Sequence, residues 1–144
     1  MGKKRIVKQS GQRVDRSLKN RALARTTKKK LSEAMLHVQS TFNNTIVSLT
    51  DHKGNLVAAS SSGALGFRGA KKGTPFAAAK VGELIGEKAA LIGVKEVDVY
   101  VKGVGSGRES AIRGFAGHGI DLRRIQDRTP VPHNGVRAPK ASRV

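Results

Sequence analysis

Residues 74–102, TPFAAAKVGELIGEKAALIGVKEVDVYVK, decide the fold. Thr74 is a good helix cap and Pro75 suits the first helical position. Ala77, Val81, Leu84, Ile85, Ala89 and Ile92 then recur near the helical period and give one apolar face. Gly93 is placed to end the helix in a left-handed cap. Over Glu96–Lys102 the pattern changes to period two. Val97, Val99 and Val101 share one face of a strand, while Asp98, Tyr100 and Lys102 share the other, which a hydrophobic layer does not cover.

Upstream, the alternation begins at Leu36. Leu36, Val38, Ser40 and Phe42 are expected on one face of a strand, with His37, Gln39 and Thr41 on the other. Asn43-Asn44 reads as a turn, because Asn tolerates left-handed backbone angles. Thr45–Asp51 is a β-branched run, His52-Lys53-Gly54-Asn55 a second turn, and Leu56–Ser61 a third strand. Together they predict a three-stranded antiparallel meander. Downstream, Gly103-Val-Gly-Ser-Gly107 leads into a second helix near Arg108–Gly117, with Ala111, Ile112 and Phe115 inward. Ile120–Gln126 is a fifth strand, and the chain after Pro130 reads as irregular. The order β-β-β-α-β-α-β predicts an α/β fold with a mixed five-stranded sheet, since hairpin neighbours run antiparallel and crossovers give parallel pairs. This order is similar to that of ribonuclease H-like folds.

The 144 residues carry 28 Lys plus Arg against 10 Asp plus Glu, a formal net charge of +18. Self-repulsion of that size points to a polyanionic partner, with nucleic acid ahead of an anionic membrane surface. The charge is uneven. Residues 1–33 hold 12 basic and 2 acidic side chains, 34–119 hold 10 and 6, and 120–144 hold 6 and 2. The expected organisation is a basic RNA-binding arm (1–33), a globular α/β domain (34–128) and a basic tail (129–144). Val14, Leu18 and Ala22 recur at helical spacing, so the arm can form a short helix on a partner surface. A solubilising tail is the bland reading of the arm. A transit peptide is a further one, against which stand its Lys content and Asp15. No run of about 18 apolar residues is present to span a bilayer. No cysteine exists for disulfides or thiolate chemistry. Aromatic residues make up 3% of the chain, too few for a base-stacking platform of the single-strand-binding kind, so phosphate contacts and shape are expected to dominate binding.

Two glycine-rich loops are the candidate anion sites. Gly103, Gly105, Ser106 and Gly107 form a turn between a strand and a helix, where backbone N–H groups and the helix dipole converge, and Arg108 adds charge. It lacks the Lys-Ser/Thr pair of a nucleotide-binding P-loop, so a cofactor is not expected; a plain tight turn is the structural alternative. In the other loop Arg68, Lys71 and Lys72 lie among four glycines, Gly63, Gly66, Gly69 and Gly73, which permit close backbone approach; a flexible connector is the alternative. Lys28-Lys29-Lys30 closes the arm. A nuclease is the rival reading, and two-metal chemistry needs clustered carboxylates. Asp51, Asp98, Asp121 and Asp127 sit on strands without a motif that supplies a second ligand, and pairing with Arg and Lys is the expectation. His37, His52, His118 and His133 show no metal spacing. A general DNA-compacting protein is disfavoured by the long patterned middle segment.

Several motifs, in order, carry a resemblance: Phe42-Asn-Asn-Thr-Ile46, Gly66-Phe-Arg-Gly69, Thr74-Pro-Phe-Ala-Ala78, Gly107-Arg-Glu-Ser110 and Thr129-Pro-Val-Pro-His-Asn-Gly135. Over about residues 34–140 the chain resembles the family of small-subunit ribosomal protein eleven, in its bacterial or organellar branch. The resemblance implies a ribonuclease H-like sheet without catalytic acids. It implies a non-enzymatic structural protein that binds small-subunit rRNA on the platform, near the path of messenger RNA upstream of the start codon. Small-subunit proteins seven, eighteen and twenty-one are the implied neighbours, and the ribosome of the cytoplasm, or of an organelle, is the implied location. No cofactor, metal or membrane is implied. Asn43, Asn44, Arg113, His133, Asn134, Gly135, Arg137, Lys140 and Arg143 join the two loops and the lysine run as candidate RNA contacts. The chain departs from the family in having Val104 and Ser106 where prolines are frequent, Val136 where Cys is frequent, and a thinned basic C-terminus. Asn134-Gly135 is also a candidate isoaspartate site, because the unshielded Gly135 nitrogen can attack the Asn134 amide and close a succinimide.

Overall fold

A computed structural model describes residues 15–25 and 29–143. Its elements in chain order are α1 (Arg16–Ala24), β1 (Glu33–Ser40), β2 (Thr45–Thr50), β3 (Leu56–Ser61), two 3₁₀ turns (Gly63–Leu65 and Gly69–Gly73), α2 (Pro75–Ile92), β4 (Glu96–Lys102), α3 (Arg108–Ala116) and β5 (Asp121–Asp127). The sheet order is β3-β2-β1-β4-β5. β1 pairs antiparallel with β2, and β2 with β3; β1 pairs parallel with β4, and β4 with β5. The mixed five-stranded sheet is therefore the one the sequence predicts.

Both crossovers step in the same direction along the sheet: α2 carries the chain from β3 past β2 and β1 to β4, and α3 carries it from β4 to β5. Right-handed connections then put α2 and α3 on the same face. That face is the apolar one: Leu36 lies between Leu49 and Val99, and Val38 between Val47 and Val101. Phe115 of α3 and Leu84 and Ile85 of α2 are fully buried in the same core. Each such side chain contributes roughly 1.5–3 kcal/mol of transfer free energy. The two helices approach closely because α2 has Gly82 at the crossing. A Cβ there would stand 2.1 Å from the Ala111 carbonyl oxygen.

Among the described residues the opposite face carries no helix, yet Asp98 and Tyr100 are buried there. Arg128 lies over the Tyr100 ring at 3.9 Å and His37 stacks on it at 5.4 Å. Burial, and then the Arg128 charge, push the His37 imidazole down from its ordinary value. Asp98 is gripped by Arg123. Arginine side chains do here what a second apolar layer does in a sandwich.

Four local expectations change. β1 ends at Ser40 rather than Phe42, and Phe42 is 78% exposed at the following turn. The period-two pattern runs on in sequence, but the Thr41 hydroxyl accepts hydrogen bonds from the Asn43 and Asn44 N–H groups and turns the chain. The Gly63–Gly73 segment is two 3₁₀ turns anchored by buried Leu65 and Phe67, not a loose connector. β5 begins at Asp121, one residue later than expected, and is an edge strand with Ile125 exposed. The helix expected in the arm is α1, and it packs on this domain. Asp15 caps it by accepting from the Ser17 N–H at 2.9 Å, Ala22 and Leu23 rest on the core, and Lys19 pairs with Glu87 at 2.8 Å. Val14 of that expected pattern lies outside the described residues.

Candidate nucleic-acid interface

Three loops meet at the end of the sheet where β1 and β4 terminate. The first is the turn Thr41–Asn44. Thr41 Oγ1 donates to the Asn44 carbonyl at 3.1 Å and the Thr41 N–H donates to the same oxygen at 2.9 Å. The Asn44 side-chain oxygen accepts the Thr45 N–H at 3.0 Å. Asn44 is thus used within the turn, while Phe42 and Asn43 face outward at its tip.

The second loop is Gly69–Gly73, carrying Lys71 and Lys72, with exposed Arg68 just before it. Thr74 orders it from the helix side: its hydroxyl donates to the Lys71 carbonyl at 2.7 Å and accepts the Ala77 N–H at 3.3 Å. Gly73 lies against the first loop, since a Cβ on it would fall 2.1 Å from the Phe42 carbonyl oxygen.

The third loop is Gly103–Gly107. Gly103 has φ +105°, and a Cβ there would fall 2.1 Å from the Ser40 carbonyl oxygen, so both the left-handed backbone and the space require glycine. Gly105 donates its N–H to Ser40 at 2.9 Å. Gly107 is packed against Thr45 and Ala78. Ser106 donates its hydroxyl to the Gly73 carbonyl at 3.0 Å, which ties the third loop to the second. The glycines of this turn are thus spent on close packing of the three loops.

Arg108 differs from expectation. Its guanidinium donates to the Gly103 carbonyl and pairs with Asp127, rather than standing free beside the turn. Asp127 also accepts the Thr129 N–H at 2.8 Å and the Thr129 hydroxyl at 2.6 Å. Thr129 and Arg108 together hold the Asp127 carboxyl well below the usual carboxylate range. Arg108 is a brace between the turn and the root of the tail, and its charge is offset by Asp127.

The remaining candidates are scattered. Lys29 pairs with buried Asp51 at 3.0 Å, at the opposite end of the sheet, and Lys30 is exposed nearby in sequence. Hydrogen bonds from Asn55, and then Lys29, hold Asp51 well below the usual range. Arg113 pairs with Glu109 at 3.5 Å and lines an open groove with Glu83, Glu87 and His118. His133, Asn134, Gly135, Arg137, Lys140 and Arg143 lie in an exposed tail without regular structure, where Asn134 takes a left-handed φ of 56°. Lys28 lies outside the described residues. Three of the four strand carboxylates considered for metal chemistry pair with cations as expected, Asp51 with Lys29, Asp98 with Arg123 and Asp127 with Arg108, while Asp121 is exposed at the start of β5.

Sequence reasoning missed Phe42, whose place at a turn depends on the Thr41 hydroxyl. It also missed the partners of Arg123 and Arg128, which come from register between distant strands. Between Thr41 and Thr50, Ser61 and Gly82, and Gly103 and Arg108, the chain has no Asp or Glu. The joined loops are therefore basic or neutral throughout. Residues 34–143 match the family model of ribosomal protein S11.

Proposed function

Because this chain belongs to the ribosomal protein S11 family, and is thereby a structural, non-enzymatic, rRNA-binding constituent of the small ribosomal subunit, we propose that the three-loop cluster is the surface that holds the rRNA. The observation that carries this reading is the meeting, at one end of the sheet, of three loops that hold Asn43, Lys71, Lys72 and Gly103–Gly107, with Arg68 just before the second; the loops contain no carboxylate, and Asp127 beside them is occupied by Arg108. Lys and Arg side chains neutralise phosphates, and the packed glycine loops hold the backbone that carries them in place.

In this reading residues 1–33 are a basic arm, 34–128 the domain that positions the loops and 129–144 a tail that follows rRNA. Lys28, Lys30, Arg113, His133, Asn134, Gly135, Arg137, Lys140 and Arg143 are secondary contacts through charge and hydrogen bonding. Lys29 and Arg108 serve through the ion pairs they make. Following the family, the protein sits on the platform near messenger RNA upstream of the start codon, beside small-subunit proteins seven, eighteen and twenty-one. Asn134 is a site of isoaspartate formation when its turn is free enough for the Gly135 nitrogen to reach the amide.

A photo-crosslinker at Lys71 in assembled small subunits tests the surface. Adducts to small-subunit rRNA are expected; adducts to protein alone contradict it. A second crosslinker at Arg137 tests the location, with upstream messenger RNA or the three named proteins as expected targets, and targets remote from these contradict it.

A further inference from the structure

We propose that Phe42 is a stacking platform for one unpaired base of small-subunit rRNA, an inference that rests on the three-loop cluster being the rRNA surface. The chain has four Phe and one Tyr. Phe67 and Phe115 are buried in the core, and Tyr100 lies under Arg128. Phe76 is half exposed but meets Phe67 edge-on at 6.0 Å and Lys80 at 5.6 Å. Phe42, 78% exposed, is the one exposed aromatic that meets no ring or cation among the described residues.

Its exposure is built in. The Thr41 hydroxyl holds the turn through three hydrogen bonds to Asn43 and Asn44, and Gly73 presses against the Phe42 carbonyl with no room for a side chain. The backbone on both sides of the ring is held, and the ring stands outside the core. An apolar face kept in water at a fixed position is prepared for a partner.

The surroundings select the partner. The loops that meet at Phe42 contain Arg68, Lys71 and Lys72 and no carboxylate. A polyanion satisfies those charges, and an unpaired base offers a flat π surface to the ring while its phosphates meet the lysines. Asn43, beside the ring, has an amide that can both donate and accept at a base edge. Phosphate contacts still supply most of the affinity; Phe42 adds a local term that salt does not screen.

The chain has no Trp, so F42W places a single tryptophan at the site. Full-length wild-type protein and the F42W, F42L and F42A variants are titrated with intact small-subunit rRNA at several salt concentrations. Melting curves of the free proteins check that each variant folds. Wild type and F42W are expected to bind alike, with Trp emission quenched by RNA. F42L and F42A are expected to bind about 5- to 150-fold more weakly, with the slope of affinity against salt unchanged. F42L is the informative variant, because it keeps apolar bulk and loses the π face. If F42L and F42A bind as wild type does, the stacking role is overturned while the rRNA surface stands. If F42L binds as wild type does and Trp emission changes only when other small-subunit proteins are added, the occupant is protein and the proposal fails. If wild-type protein shows no salt-dependent rRNA binding, the surface and the platform fall together.

Discussion

Arg123 grips the buried carboxylate of Asp98 with two parallel bonds, Nε to Oδ1 at 3.0 Å and Nη2 to Oδ2 at 2.8 Å. The β4–β5 register shifts between Val97 and Asp98, and Arg123 is the extra residue that the bulge aims at Asp98. Arg123, with Arg124 behind it, holds the Asp98 carboxyl below the usual carboxylate range. A depressed carboxylate pKa gives stability that is present above the unfolded value, about 3.9, and is lost as pH falls through the folded value. R123A is therefore expected to lower Tm by several degrees at pH 7, with a deficit that shrinks below about pH 4 as Asp98 protonates in both proteins. D98N, which leaves no buried charge unpaired, is expected to cost less at pH 7. A deficit in R123A that is constant from pH 7 to pH 2 contradicts this pairing.

The helix crossing makes a second prediction. In G82A the new Cβ meets the Ala111 carbonyl oxygen, which is backbone and cannot swing aside. We expect a loss of about 1–3 kcal/mol in urea unfolding. Stability equal to wild type would show that α2 and α3 are free to separate.

The cap at Thr74 links stability to the site. T74A removes the acceptor of the Ala77 N–H and the donor to the Lys71 carbonyl. A loss of about 1 kcal/mol is expected from the cap alone. Weaker rRNA binding is expected with it, because the Lys71 carbonyl loses the shorter of its two tethers to Thr74 and keeps only the backbone N–H at 3.4 Å. Loss of stability with unchanged RNA affinity would separate the two roles and contradict the tether.

Arg68 and Arg108 are expected to part company. R68A, at an exposed position, leaves stability within about 0.5 kcal/mol and lowers the slope of log affinity against log salt by about 1. R108A removes the brace to Gly103 and Asp127, so Tm and rRNA affinity fall together. Unchanged melting of R108A would return Arg108 to the role of a free phosphate ligand.

What the sequence made legible was local. Thr74-Pro75 at one end and Gly93 at the other bound α2 because a cap needs only its own neighbours, and Gly93 takes φ +93° as expected. The valines of β4 announce their buried face through alternation. Other features depend on distant partners. The partner of Arg108 is 19 residues away and that of Arg123 is 25 away, joined only by strand pairing. Leu65 and Phe67 sit among glycines and basic residues, so their burial has no periodic signature. The candidate loops are visible as glycine-rich and basic, but their meeting at one end of the sheet follows from topology. Phe42 is hidden by a pattern that continues one step past the strand.

The central claim, that the acid-free loop cluster holds rRNA through its phosphates, is tested most directly by one titration. Wild-type protein and an R68A/K71A/K72A variant are bound to intact small-subunit rRNA between about 50 and 200 mM salt. With about 6–10 phosphates neutralised, wild-type affinity is expected to fall roughly 10³- to 10⁵-fold over that range, by the duplex-DNA calibration, and the variant's slope is expected to be shallower by about 2–3. A nearly flat wild-type salt dependence, or a variant slope equal to wild type, would contradict the account.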